Sequence, residues 1–185
     1  ARREGPPARV RCASVPLPLG LHVPEDIPRL TPTVPHGSFF GTAVQATQPD
    51  VAMRLPLPRS YHDRGYLRYG FNGLSYEHVV KALPKQSGRE LPSRLLVAHL
   101  GNGASRCAVL NGKSIATTMG CSTADGLVMG SRTGSIDPGV LIALMRDDHM
   151  DHDALEDLLY RKSGLLGLSG ITSDMRELIA SHDAR

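Results

Sequence analysis

Val97-Ala98-His99-Leu100-Gly101-Asn102-Gly103-Ala104-Ser105 and, further on, Gly126-Leu127-Val128-Met129-Gly130-Ser131-Arg132-Thr133-Gly134-Ser135-Ile136-Asp137-Pro138 decide how this chain is read. The first stretch is an apolar, β-prone run that stops at a glycine turn. The second carries one arginine between glycines. Glycine turns let backbone N–H groups come close to an anion. A fixed guanidinium can then neutralise that anion with paired hydrogen bonds. Phosphate is the ligand this pairing points to.

Around these stretches, residues 94–119 read as a three-stranded meander. Arg94 to Leu100 and Arg106 to Leu110 are the first two strands. Asn111-Gly112 is a strong type I′ hairpin signal, and Ser114 to Thr118 follows as the third. Asp137-Pro138 then predicts a helix start, with Asp as cap and Pro where no N–H is needed. Val140, Leu141, Ile142, Leu144 and Met145 are apolar on nearly every side, which predicts a buried helix. Asp153 with Glu156 predicts a second helix, with Leu155, Leu158 and Leu159 inward and Gly164 as its stop. Gly164 to Gly170 reads as a tight apolar turn. Thr172 or Ser173 would cap a third helix that faces Met175, Leu178 and Ile179 inward.

The first half differs. Eleven of the 14 prolines lie at or before Pro58, so that part is expected to be loop-rich with short elements. At 185 residues, 41% hydrophobic, the chain can bury an ordinary core. Aromatics are 4% and Trp is absent, so that core must be aliphatic. No apolar run reaches the ~18 residues a membrane span requires. Arg2, Arg3, Arg9 and Arg11 against Glu4 account for the whole net charge of +3. The remainder is neutral, which argues against a nucleic-acid surface, and the basic head reads as a solvated tail. Cys12, Cys107 and Cys121 are odd in number and include no C-x-x-C, so neither a disulfide framework nor a zinc knuckle is suggested and a reducing, cytoplasmic setting is expected.

Two tempting motifs are set aside. Gly112-Lys113-Ser114 resembles the end of a P-loop, but Cys107 occupies the required glycine and the motif joins two strands. His149 and His152, among Asp147, Asp148, Asp151 and Asp153, have metal-ligand chemistry, yet they fall between helices, where polar residues face water and cap ends. Gly101-Asn102-Gly103 alone suits an ordinary hairpin, and Asp174-Met175-Arg176 alone suits a helix start.

Taken together the segments resemble the acetokinase family of acetate, propionate and butyrate kinases. His99 to Ser105 is similar to its phosphate-binding loop, and Gly126 to Pro138 to its catalytic-arginine loop. Asn111-Gly112-Lys113-Ser114, Thr118-Met119-Gly120, Lys162 to Gly167 and Ser173 to Arg176 also fit, and the resemblance runs nearly unbroken from Gly41 to Arg185. It implies an α/β, ribonuclease-H-like fold of the actin-like ATPase and sugar-kinase superfamily, present as partial domains. It implies a substrate-side segment at 17–93, loop-rich with short helices, and a nucleotide-side segment at 94–185, while residues 1–16, a basic Pro-rich tail by composition, show no resemblance.

The implied activity is transfer of the ATP γ-phosphoryl group to a short-chain carboxylate, in a protein that pairs as a homodimer and uses magnesium. The magnesium ligands would lie outside this chain. Arg132 matches the arginine that stabilises charge on the transferring group. His99, Leu100, Gly101, Asn102 and Gly103 match the ATP phosphate loop, and Asp174, Met175 and Arg176 an adenosine-side contact. Two positions depart. The family's R-Y-G-F-H-G-T-S-H is Arg68-Tyr69-Gly70-Phe71-Asn72-Gly73-Leu74-Ser75-Tyr76 in this chain, so Asn72 replaces the phosphoryl-binding His. The family's F-D-T-A-F-H-Q-T is Phe40-Gly41-Thr42-Ala43-Val44-Gln45-Ala46-Thr47, so Gly41 replaces an orienting Asp. The competing reading is a catalytically degenerate member that keeps only nucleotide or dimer contacts.

Overall fold

The computed structural model describes residues 41–183, together with residues 30, 31 and 33–35. The basic tail at 1–16 lies outside the described residues. The elements follow in order: a 3-10 turn at Ala43–Thr47, then α1 Asp50–Met53, α2 Arg59–Asp63, α3 Gly73–Ser87, β1 Arg94–Leu100, β2 Ala104–Leu110 and β3 Lys113–Thr117. The last four are α4 Pro138–Asp147, α5 His152–Arg161, α6 Gly164–Ser169 and α7 Met175–Ala180.

The meander forms as the sequence indicates. β1 pairs antiparallel with β2, from Arg94 opposite Leu110 to Leu100 opposite Ala104. β2 pairs antiparallel with β3, with a register shift at Ala108/Val109. Asn111 and Gly112 both take positive φ, 49° and 77°, as a type I′ turn demands. Because side chains alternate across a strand, Leu95, Val97, Cys107 and Val109 share one face. Tyr76, Val79 and Val80, spaced three and four apart on α3, pack onto it. Burial raises the Cys107 thiol above its ordinary range. A second cluster of Ala104, Met119 and Met129 sits at the other end, flanked by Phe71 and Leu127. It lies beneath the loops that carry the candidate site.

The 3-10 turn docks against β3 through polar groups. Thr47 Oγ1 donates to the Ser114 carbonyl at 2.8 Å, and Ser114 Oγ donates to Gln45 Oε1 at 2.5 Å. Gly73 N donates to the Gly41 carbonyl at 2.8 Å, so the start of α3 is tied to residue 41. A Cβ on Gly73 would collide with that carbonyl, which is why the contact needs glycine.

Several expectations are corrected. The first half is not built of short elements alone, because α3 runs for 15 residues and tolerates Pro84 in its last turn. α4 starts where expected, with Asp137 accepting from Gly139 N, but none of its residues is buried. Val140 and Ile142 stay exposed although both are apolar. α5 is capped by Asp151, which accepts from Ala154 N, and not by Asp153. The nearer aspartate wins because its side chain reaches the open N–H groups of the first turn. Residues 164–169 close into α6, so Gly164 opens a helix where it was expected to end one. α7 is capped by Asp174, one residue past Ser173, and Met175 and Ile179 face outward.

Candidate functional site

The loop that carries Arg132 is pinned on two sides. On one side Gly130 N donates to the Asn102 carbonyl at 3.0 Å, which ties it to the Gly101–Gly103 turn. On the other, Leu165 N and Leu166 N at the start of α6 donate to the carbonyls of Met129 and Gly130, at 2.8 and 2.9 Å. Gly164 holds φ +65°, and a Cβ there would collide with the Met129 carbonyl. The Arg132 side chain is half-buried and turned toward the turn: its Nη1 lies 3.6 Å from where a Cβ on Gly103 would stand. Nη1 also donates to the Thr123 carbonyl at 3.3 Å and reaches Met129 Sδ at 3.9 Å. Both contacts use Nη1, and no carboxylate among the described residues pairs with the guanidinium. Its remaining N–H groups are therefore available to an anion.

The glycine turn is open to solvent at Gly101 and Asn102, and Leu100 beside it is also exposed. His99 faces this space with one ring nitrogen, Nε2, which lies 3.5 Å from where a Cβ on Gly101 would stand. Its Nδ1 lies 3.0 Å from Ser75 Oγ on α3, a hydrogen bond between β1 and the helix.

Asn72 sits in the left-handed region, φ 59°, immediately before α3. Its Nδ2 donates to Ser105 Oγ at 2.8 Å and approaches Met119 Sδ at 3.8 Å. Ser105 Oγ also hydrogen-bonds the hydroxyl of the fully buried Tyr76. Burial raises the pKa of that phenol, with the Ser105 hydrogen bond opposing the shift. The amide at position 72 is thus committed to its own framework. Gly41 lies next to the start of α3, and among the described residues a Cβ added to it would meet nothing within 4 Å.

Asp174, Met175 and Arg176 come to the same loop from a third direction. The Ser173 carbonyl lies 3.3 Å from where a Cβ on Gly130 would stand. Asp174 accepts from Arg176 N at 2.9 Å and pairs with Arg176 Nη2 at 2.5 Å. These bonds, led by the Arg176 side chain, hold the Asp174 carboxyl at a pKa of about 2, below its ordinary 3.8. Because the folded value is the lower one, the stabilisation is complete above the unfolded pKa and fades as pH falls through about 2. Acid titration of Asp174→Ala beside the unaltered chain should show a stability gap above pH ~4 that closes on descent toward pH 2. A gap independent of pH would show that the carboxylate charge is irrelevant.

Glycine punctuation made Arg132 and the turn visible in sequence. Thr123 and Asp125, which support the arginine loop, lie outside every quoted motif, and Arg68 and Ser135 lie inside two of them without any mark of that role. Among the described residues no group of three or more His, Cys, Asp or Glu could hold a metal ion. His152 lies 3.1 Å from Asp153 as an exposed pair.

A family model described as the acetokinase family matches residues 15–185. The acetate kinase of Rhodopseudomonas palustris is 48% identical over 174 residues, covering 94% of this chain and 44% of that protein. The acetate kinase of Methylocella silvestris is 49% identical over 150 residues, covering 81% and 37%. In three dimensions, a propionate kinase of Francisella tularensis superposes with a TM-score of 0.87 at 33% identity, over 96% of this chain and 47% of that one. An acetate kinase of Porphyromonas gingivalis gives 0.81 at 36% identity, over 88% and 41%. The fold is therefore the α/β, ribonuclease-H-like one of these kinases, in partial form. This chain spans less than half the length of the relatives it matches. The match begins at residue 15, well ahead of Gly41, where the motifs first resemble the family.

Proposed function

This chain belongs to the acetokinase family, and from that premise we propose that it carries the arginine and phosphate-loop part of a phosphotransferase. The reaction moves the γ-phosphoryl group of ATP to a short-chain carboxylate. A carboxylate oxygen bonds to the γ-phosphorus while the bond to the β–γ bridging oxygen breaks. That electron pair leaves with ADP, and an acyl phosphate results. Such a transfer needs positioning and charge neutralisation more than covalent chemistry from the protein.

One observation carries the reading: the Arg132 guanidinium is half-buried, unpaired by any described carboxylate, and faces the Gly101–Gly103 turn. In this proposal Arg132 stabilises the charge on the moving group. His99 through Gly103 run beneath the phosphates, and Asp174 to Arg176 contact the adenosine side. Residues 17–93 form the substrate side and 94–185 the nucleotide side, with 1–16 as a tail. The magnesium that accompanies ATP takes its protein ligands, in this proposal, from the part of the family fold beyond these residues. A homodimer and a cytoplasmic location complete the proposal and are supported by the family alone. Among the described residues no helix is long and apolar enough to cross a membrane.

A second reading has its own observation. Asn72 is tied to Ser105 and Gly41 offers no side chain, so two supports of the transfer are absent. In that case the chain binds nucleotide and turns over slowly or not at all. Trapping acyl phosphate as a hydroxamate, with ATP, magnesium and acetate, separates the two. Product above that of an Arg132→Ala control supports the kinase. ATP binding by calorimetry with no product above the control supports the second reading.

A further inference from the structure

We propose that Arg68 and Asp125 are positioning residues for Arg132, closing the loop that presents it to the glycine turn. The inference rests on the role proposed for Arg132 and adds two residues that touch neither the turn nor the arginine.

Arg68 opens the motif altered at Asn72, four residues before that position, yet its guanidinium turns to the distant loop. Its Nη1 donates to the carbonyls of Thr118 and Met119 at 3.1 and 3.2 Å, and to Asp125 Oδ2 at 3.3 Å. The neighbouring backbone follows it: Tyr69 N and Gly70 N both donate to the Gly120 carbonyl. Asp125 spends its other oxygen inside the loop. Oδ1 accepts from Gly126 N and from Ser135 Oγ, each at 2.8 Å. Ser135 N returns a bond to the Gly126 carbonyl at 2.9 Å. Residues 126 and 135 are thereby closed onto one another, and Arg132 is carried between them.

The same clasp fixes what the guanidinium rests on. Arg132 Nη1 donates to the carbonyl of Thr123, two residues before Asp125. Arg68 thus anchors the segment that supplies this carbonyl, and Asp125 anchors the segment that supplies Arg132. The pair is shielded enough to matter, with Arg68 at 26% and Asp125 at 36% side-chain exposure. Charge-assisted bonds of this kind hold geometry better than neutral ones. Removing one member strands the polar groups that depended on it.

The test pairs Asp125→Asn with Arg132→Ala in the full chain, and Arg68→Lys serves as a conservative companion. ATP affinity is measured for each variant alone and for Asp125→Asn combined with Arg132→Ala. If Asp125 acts through Arg132, its loss weakens ATP binding about tenfold when Arg132 is present and less than about twofold when it is absent. Arg68→Lys, whose shorter side chain withdraws the one nitrogen that meets all three acceptors, weakens it in the same background-dependent way. Equal weakening in both backgrounds overturns the proposal, because a merely structural pair is additive.

Amide exchange gives a second readout. In Asp125→Asn, residues 126–135 should exchange about tenfold faster while the 104–117 hairpin keeps its rate. Uniform acceleration overturns the positioning role. Should the unaltered chain bind no ATP, the phosphotransferase reading fails, and the exchange pattern alone decides whether the clasp orders the loop.

Discussion

Arg132→Ala is expected to lower acyl-phosphate formation by ~10³-fold or more, the scale on which arginines that neutralise a transferring phosphoryl group act. The charge on that group develops at equatorial oxygens, where a planar fork with several N–H donors can reach more than one atom. In this chain the fork is already placed. Its Nη1 rests on the Thr123 carbonyl, and the loop behind it is stapled to the Asn102 carbonyl and to the start of α6. Little reorganisation remains to be done when the nucleotide arrives, and preorganised charge is what makes such a group effective. Arg132→Lys should recover only a small part of the loss, since an ammonium on a flexible stem cannot reproduce the fork. Hydroxamate formation that is unchanged in Arg132→Ala would remove the arginine from the chemistry.

Restoring the two altered positions should act in the opposite direction. The double variant Gly41→Asp with Asn72→His is expected to raise turnover by about 10²-fold, the effect usual for one transition-state donor. Among the described residues, a Cβ at position 41 meets nothing within 4 Å. Residue 72 takes φ 59°, a region in which histidine is among the better tolerated residues after glycine. The cost is the Asn72–Ser105 hydrogen bond, about 1 kcal/mol of stability, with Ser105 keeping its bond to Tyr76. A steady-state comparison with the unaltered chain decides it. If turnover does not rise in a double variant that still folds, the substitutions at 41 and 72 do not limit the reaction.

What could be read from sequence was local. Asn111-Gly112 announced a turn that only positive φ can make, and Asp137-Pro138 announced a helix start whose cap and missing N–H are both sequence properties. The glycine-flanked Arg132 was legible because small neighbours leave room for a ligand. Other features depended on distance. α3 was hidden because Gly73 and Pro84 within it look like breakers, and its stability comes from Tyr76, Val79 and Val80 meeting the sheet. The capping choice between Asp151 and Asp153 turned on which carboxylate reaches the open N–H groups. The apolar run of α4 suggested burial, but composition does not say what covers a helix, and Val140 and Ile142 remain exposed. The Arg68–Asp125 clasp joins residues 57 apart, and nothing local to either one marks the other as its partner. The family resemblance named the site, whereas the coordinates supplied the hydrogen bonds that hold it.

The central claim is that the Arg132 guanidinium faces the phosphates of a nucleotide lying along the Gly101–Gly103 turn. Phenylglyoxal labelling of arginines, read residue by residue by mass spectrometry with ATP or with AMP present, tests it most directly. The expected result is protection of Arg132 by ATP and none by AMP, since only ATP carries the β- and γ-phosphates. Equal labelling of Arg132 in both nucleotides, at concentrations where ATP is shown to be bound, would contradict it.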